Sequence, residues 1–196
     1  MTSSNQMNLN LVQSLQQFSQ CFIDQFQQVH QELPKIKHDK DWPSPCEQAK
    51  IETHVLAKDE VYWQPIDIDE KDELGFDNVE SALALILHKD IKEYFTTIYS
   101  EALDANCEEG DLTLLFAWNK DDFQRLQENI IGHILMKQRL KQAETVFFAV
   151  TDEEDMIITI NNETGAVWVE RVGCEPHKKL ADSLAQFLTN IIPRVS

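Results

Sequence analysis

Apolar residues repeat at two spacings along the chain, and each spacing predicts a different kind of element. From Leu11 to Leu33 they recur every three or four positions, with glutamine at most of the others. This spacing is typical of one face of a helix, so a long amphipathic helix is expected within residues 1–33, from Asn8 to about Glu32. Pro34 ends it, and residues 34–60 are expected to form an irregular connector.

The same spacing predicts four further helices, with starts at Asp77, about Asp90, Asp121 and near Pro176, the last running to Pro193. Asp77 with Glu80 has the pattern of a capping box, and Asp121 with Gln124 is expected to cap the third of these helices. Gly132 lies inside that helix, where glycine costs about 1 kcal/mol relative to alanine. Close packing against a neighbouring element is therefore expected at Gly132.

Strict alternation of apolar and polar residues predicts a β-hairpin in the second half of the chain. Apolar residues alternate over 156–160 and again over 167–169, which is the period of half-buried strands. The turn between them, Asn162–Gly165, ends in a glycine that can adopt the left-handed conformation such turns need. Thr145–Val150 is an expected earlier strand, and the four acids Asp152–Asp155 then fall in the loop that follows it.

Three more strands are expected upstream. Leu112–Trp118 is apolar on both faces, which predicts a central strand, and Ala102–Cys107 is its expected neighbour. Val61–Ile66 is rich in aromatic residues, and its proline places it near a strand end or a sheet edge. Strands between and after helices predict an α+β fold: one domain of 196 residues with a mostly antiparallel sheet covered by helices.

The net charge of the chain favours some classes of binding partner over others. It carries 17 Lys and Arg against 34 Asp and Glu, a formal net charge of −17, and residues 51–110 hold 16 of the acids and 4 of the bases. This balance argues against nucleic acid and anionic lipid, which need clustered cations. A basic protein partner is the natural complement, and solubility alone is the alternative explanation of the charge.

Other sequence signals point to a cytoplasmic protein and give only weak indications of an enzyme. The four cysteines are widely spaced, and no signal peptide or membrane-spanning apolar stretch is recognisable. Nucleophile, phosphate-loop and zinc-protease motifs are absent from the sequence. The acids Asp152–Asp155 lack the spacing of a calcium loop, and Cys174 with His177 forms only half of a zinc site. His133 could act as a base, but a hydrogen-bonded histidine at a helix–sheet contact is favoured.

Several strings in the sequence resemble the Syd family of SecY-interacting proteins. They are VYWQP at 61–65, LTLLFAW at 112–118, DDFQRLQENIIGH at 121–133, NETGAV at 162–167 and LADSLAQFL at 180–188. The resemblance runs in order from about Trp42 to Ile192. The family is related to the SUKH superfamily of α+β interaction domains, which implies a SUKH-like fold with a concave acidic face.

The resemblance implies a binding protein with neither catalysis nor a cofactor. Its expected partner is SecY, whose basic cytosolic loops an acidic protein would bind in order to sequester, check or negatively regulate unassembled SecY. The protein is then expected as a monomer in the cytoplasm and at the cytoplasmic side of the inner membrane, held peripherally through its partner without lipid insertion. A SUKH-type immunity protein that neutralises a basic toxin is the alternative.

Candidate partner-binding residues are the acids beside the family-like strings. They are Asp111, Asp121, Asp122, Glu128, Asp152, Glu153 and Glu154. For Asp121, a role as helix cap is the favoured alternative. The densest acidic run, Asp67–Glu73, lies where no family motif is recognised and is expected to be a solvated loop.

Overall fold

A computed structural model of the chain describes residues 10–48 and 59–195, and these form an α+β fold. Its helices are α1 (Leu11–His30), α2 (Asp77–Leu83), α3 (Lys89–Thr97), α4 (Lys120–Arg139) and α5 (Leu184–Asn190), with a 3-10 turn at Glu70–Asp72. Its strands are β1 (Lys35–Lys37), β2 (Glu47–Gln48), β3 (Glu60–Trp63), β4 (Ile66–Asp67), β5 (Ile98–Tyr99), β6 (Leu103–Cys107), β7 (Gly110–Leu114), β8 (Thr145–Thr151), β9 (Met156–Asn161), β10 (Val167–Arg171), β11 (Lys178–Ala181) and β12 (Ile192–Pro193).

A seven-stranded antiparallel sheet forms the centre of the fold, in the order β11-β10-β9-β8-β7-β6-β12. Val146, Ile160 and Val167 are cross-strand partners and are almost fully buried. Because side chains alternate along a strand, their neighbours in register point to the opposite face of the sheet. Two small sheets, β1-β3-β2 and β4-β5, lie outside it.

Helices cover both faces of the large sheet. Helix α1 packs against α3, α5 and β12, whereas α4 packs against α2 and β8. The ring of His133 in α4 lies 5.6 Å from the ring of Phe147, whose side chain points away from the face of Val146. The predicted α+β class, with an antiparallel sheet covered by helices, is confirmed.

The N-terminal helix is confirmed where the structure describes it. Asn10 caps α1, because its side chain accepts a hydrogen bond from the Gln13 backbone N–H and Gln13 reciprocates. Residues 1–9 and 49–58 lie outside the described ranges. Within the expected irregular connector 34–60, β1 and β2 pair with β3, and the single strand expected over Val61–Ile66 is instead divided between β3 and β4.

Asp121 does not cap α4, contrary to the prediction. The cap is Asn119, whose Oδ1 accepts a hydrogen bond from the Asp122 backbone N–H at 2.8 Å. Asp122 Oδ2 accepts from the Trp118 backbone N–H at 2.9 Å, which closes the cap. Strand β7 ends at Leu114, so the expected strand to Trp118 is too long, and the Trp118 N–H is used by the cap of α4.

Three other local predictions are wrong. The last helix begins after the cap Ser183 rather than near Pro176, because residues 178–181 pair with β10 as the edge strand β11. No side chain caps α2, and the Glu80 carboxylate accepts from the Leu87 backbone N–H and from Lys92 instead. Gly132 is exposed, and a Cβ there would meet no atom within 4 Å, so close packing does not explain it.

Candidate functional site

The hairpin β6–β7 and the turn between β8 and β9 meet at one end of the large sheet. Leu112 pairs with Thr151, so Asp111 and Asp152 each lie one residue beyond that pair, on neighbouring chain segments. Both line a cavity of about 210 Å³, which we call the sheet-end groove. Its lining residues are Cys107, Glu109, Gly110, Asp111, Leu112, Thr151, Asp152, Glu153, Met156, Ile158, Val169, His177, Lys178 and Leu180.

The sheet-end groove combines an apolar floor with an acidic rim. Its buried lining residues are Leu112, Ile158 and Val169, which come from three different strands of the sheet. Its rim carries the carboxylates of Glu109, Asp111, Asp152 and Glu153. Such a cleft offers apolar contact to the stem of a bound side chain and negative charge to its head.

Two of the rim acids are partly neutralised by cations of this chain. Glu109 forms an ion pair with Lys178. Asp111 accepts a hydrogen bond from Asn106 Nδ2 at 2.7 Å, and its Oδ2 lies 3.4 Å from Arg194 Nη1. The sequence reading did not anticipate these cations, because both are distant from the acids along the chain.

Asp152 and Glu153 are the unneutralised pair at the rim. Both side chains are exposed, and neither forms an ion pair within residues 10–48 and 59–195. Their loop is fixed through its backbone: the Glu153 N–H donates to Thr151 Oγ1 at 3.2 Å, and the Met156 N–H donates to the Glu153 carbonyl at 3.2 Å. The loop thus holds free carboxylates on an ordered backbone.

The remaining candidate acids are dispersed. Asp121 lines a second cavity, of about 510 Å³, together with Asp67, Asp69 and Asp72 of the acid-rich run. The acid-rich run is therefore a cavity wall and not only a solvated loop, although Lys71 and Lys120 share that wall. Lys71 Nζ lies 2.7 Å from Asp69 Oδ2, and the hydrogen bond from Lys71 lowers the pKa of Asp69.

Three candidates lie outside both cavities. The Asp122 carboxylate is committed to the cap of α4. Glu128 is exposed on α4, and Glu154 is exposed on the same turn as Asp152 without lining the groove. Of the seven acids predicted as partner-binding residues, the sheet-end groove thus contains Asp111, Asp152 and Glu153.

A buried ionic network lies on the opposite face of the sheet from the apolar floor of the groove, and sequence reasoning missed most of it. Lys137 and Glu170 both have fully buried side chains, and Lys137 Nζ lies 3.3 Å from Glu170 Oε1. Thr145 and Thr159 also donate to the Glu170 carboxylate, at 3.1 and 3.2 Å. Lys137 falls seven residues after Ile130 and thus on the apolar stripe of α4, a signal that could have revealed its burial.

His133 completes the network as a neutral side chain. Its Nε2 lies 3.2 Å from Thr145 Oγ1, and because that hydroxyl donates its proton to Glu170, His133 is the donor in this contact. Burial and then the charge of Lys137 lower the pKa of His133 to about 4, and burial raises the pKa of Glu170. The predicted hydrogen-bonded histidine at a helix–sheet contact is confirmed.

The described residues contain neither a metal-binding cluster nor a membrane-spanning helix. Within 10–48 and 59–195, three or more His, Cys, Asp or Glu side chains never converge as a metal site would require. In the same ranges, no helix is both long enough and apolar enough to cross a bilayer.

Comparison with known proteins identifies the family. Residues 12–193 match the family described as Syd protein (SUKH-2). Protein Syd of Colwellia psychrerythraea is 54% identical over 198 residues, covering 97% of this chain and 95% of that protein. Protein Syd of Alteromonas mediterranea is 49% identical, covering 81% and 84%, and that of Pseudoalteromonas atlantica is 40% identical, covering 92% and 95%. The chain therefore belongs to the Syd family.

Proposed function

We propose that this protein is a non-enzymatic SecY-binding protein that docks on the basic cytosolic loops of SecY through the sheet-end groove. Docking would sequester, check or negatively regulate SecY that is not assembled. The observation that carries the proposal is the position of Asp152 and Glu153, two unneutralised carboxylates beside an apolar cleft on a chain of net charge −17. The match to the Syd family supports SecY as the partner, because that is the partner which the family resemblance implies.

Charge supports a protein receptor rather than a lipid surface. A net charge of −17 is repelled by anionic headgroups, whereas cytosolic loops of inner-membrane proteins are enriched in Lys and Arg. Long-range attraction between the acidic chain and those loops speeds their encounter. The protein then resides peripherally at the cytoplasmic side of the inner membrane through SecY, exchanges with the cytoplasm and binds as a monomer.

The groove supports short-range recognition of a basic side chain. An Arg or Lys stem can lie on Leu112, Ile158 and Val169, while its charged head reaches the rim carboxylates. Arginine suits the rim best, because its guanidinium pairs with carboxylates through two parallel hydrogen bonds. In this proposal Asp111, Asp152 and Glu153 contact the partner, Glu154 supports them from the same turn, and Asp121 and Glu128 add to the long-range field.

Binding to SecY-containing membranes across a salt series tests the proposal. Protein-free liposomes with the same anionic lipids are the control for lipid binding. Saturable binding only where SecY is present, weakened by salt mainly through slower association, is the expected result. Binding to the liposomes, or to neither membrane, contradicts docking on SecY, and binding to neither would turn attention to a basic toxin as partner.

Two charge-matched double variants test the groove itself. Asp152→Asn with Glu153→Gln removes the free rim charges and is expected to weaken SecY binding by about tenfold or more. Glu93→Gln with Glu163→Gln removes two exposed charges away from the groove and is expected to change affinity by less than about threefold. Equal effects of the two variants would mean that only net charge, and not the sheet-end groove, determines binding.

A further inference from the structure

The segment that leads into the wall of the sheet-end groove has few apolar anchors, and of its residues His177 lines the groove. Residues 172–177, which we call the wall segment, connect β10 to β11 and lead into the groove residues His177 and Lys178. Val172 is 47% exposed, Gly173 has a φ of +79°, and most of the other side chains are exposed. A segment of this composition opens easily unless polar contacts hold it.

Helix α4 and the loop that follows it supply such contacts. Lys137 Nζ donates to the Cys174 carbonyl at 2.7 Å, a shorter contact than the 3.3 Å to Glu170. Gln142 Nε2 donates to the Gly173 carbonyl at 3.0 Å. Two successive carbonyls of the wall segment are thus held by side chains from outside the sheet, and one of those side chains is fully buried.

The wall segment in turn contacts the acidic turn. The Val172 N–H donates to the Asp155 carbonyl at 2.9 Å, one residue beyond the paired Arg171 and Met156. Asp155 itself has a φ of +65°, a conformation that needs support in a residue other than glycine. The chain of contacts therefore runs from Lys137 through Cys174 and Val172 to the turn that carries Asp152 and Glu153.

A contribution to stability does not by itself explain the buried ion pair of Lys137 and Glu170. Desolvation of both charges offsets much of their attraction, and apolar replacements of such pairs are often neutral or stabilising. Glu170 needs its three donors because it is buried, yet the closest contact of Lys137 is with the wall segment.

We propose that Lys137 is a positioning residue of the sheet-end groove, which holds the wall segment, and through it the acidic turn, in the geometry that binds a basic side chain. The proposal rests on the proposed function. Lys137 itself does not contact the partner, since its side chain is fully buried. Its contribution is preorganisation: the rim carboxylates are in place before the partner arrives.

The double variant Lys137→Met with Glu170→Gln tests this proposal. It removes both buried charges, keeps similar side-chain volumes and lacks the donor to Cys174, while the charges of the groove rim are unchanged. Hydrogen exchange of the backbone amides of 172–178 in the free protein is expected to rise by about tenfold or more. Dissociation from SecY-containing membranes is expected to accelerate about tenfold, with an unaltered dependence of association on salt.

The single variant Glu170→Gln is the matched control. The Lys137 amine, charged or neutral, still donates to the Cys174 carbonyl, so exchange of the wall segment and dissociation are expected to stay within about threefold of wild type. Slow exchange in the double variant, or fast exchange with unchanged dissociation, overturns the positioning role. So does an equal effect of the single and double variants.

A third variant tests the proposal in case the double variant does not fold. Gln142→Met removes the neighbouring contact to Gly173 without touching the ionic network, and it is expected to accelerate exchange of the wall segment and dissociation by about twofold to fivefold. If the double variant does not fold and Gln142→Met behaves as wild type, the proposal fails. If wild type does not bind SecY, the proposed function fails, and the exchange of the wall segment alone decides whether Lys137 holds it.

Discussion

Arg194 Nη1 lies 3.4 Å from Asp111 Oδ2, and Arg194 Nη2 lies 3.6 Å from Asp104 Oδ2. This guanidinium therefore reduces the negative charge at one side of the sheet-end groove. A basic partner must compete with it for Asp111, because both cations need the same carboxylate. The contact makes Arg194 an internal competitor of the proposed ligand.

We expect Arg194→Gln to strengthen binding to SecY-containing membranes by about twofold to fivefold at low salt, through faster association. The backbone N–H of residue 194 would still donate to the Asp104 carbonyl, so β12 should remain paired. Lys89→Gln, which removes an exposed charge at the start of α3 and away from the groove, is the charge-matched control. Weaker binding of Arg194→Gln would show that Arg194 supports the groove rather than competing for it.

The cap of α4 predicts that substitutions at Asn119 and at Asp121 change the stability of the protein by different amounts. Asn119→Ala removes the acceptor for the Asp122 N–H and the bond from Asn119 Nδ2 to the Pro43 carbonyl. Urea denaturation should show a loss of about 1–2 kcal/mol in the free energy of unfolding. Asp121→Asn should cost less than about 0.5 kcal/mol, since Asp121 does not cap the helix. A reversed order would restore Asp121 as the cap.

His133 should make stability fall with acid. In the unfolded chain its pKa is near 6.5, whereas in the fold it is about 4. The unfolded state therefore binds more protons between these values, and stability that is present above pH 6.5 is lost as the pH falls through this window. The contribution amounts to at most about 3 kcal/mol.

The measurement compares wild type with His133→Gln, whose amide can donate to Thr145 without titrating. The raised pKa of Glu170 contributes with the opposite sign, because a group of raised pKa stabilises the fold at low pH and loses that contribution as pH rises. Both proteins contain Glu170, so the difference between their unfolding free energies isolates His133. A difference that is constant across the window would contradict the neutral, buried state of His133.

Replacing each of two glycines by alanine should change the free energy of unfolding in opposite directions. Gly132→Ala is expected to raise the free energy of unfolding by about 1 kcal/mol, because the site is helical, exposed and open. Gly165→Ala is expected to destabilise the protein, since φ is +74° and its Cβ would lie 2.5 Å from His88 Cε1. Thermal unfolding of both variants measures this, and loss of stability in Gly132→Ala would contradict the open surroundings of that site.

The periodic part of the fold could be predicted from the sequence. The spacing of apolar residues identified α1, α4 and the hairpin β9–β10, because each buries one face and needs little else. The errors cluster where long-range contacts override local pattern. Residues 178–181 form an edge strand because β10 offers them a partner, which no local signal near Pro176 reveals.

The groove was predictable only in part, for a similar reason. Asp111 and Asp152 are 41 positions apart in the sequence, and the register of β7 against β8 brings them to one cavity. Asp121 and Glu128 also carry carboxylates and lie within a family-like string, yet they lie outside the sheet-end groove. Composition therefore indicated the sign of the surface, whereas strand pairing determined which acids share it.

The placement of Asp111 and Asp152 on neighbouring chain segments has a consequence for ionic strength. Like charges facing across adjacent strands repel one another, and mobile ions reduce that repulsion. Salt should thus raise the melting temperature of the isolated protein even as it weakens the proposed complex. At a higher ionic strength inside the cell, the free protein would be more stable, and the fraction of it in the proposed complex would be smaller.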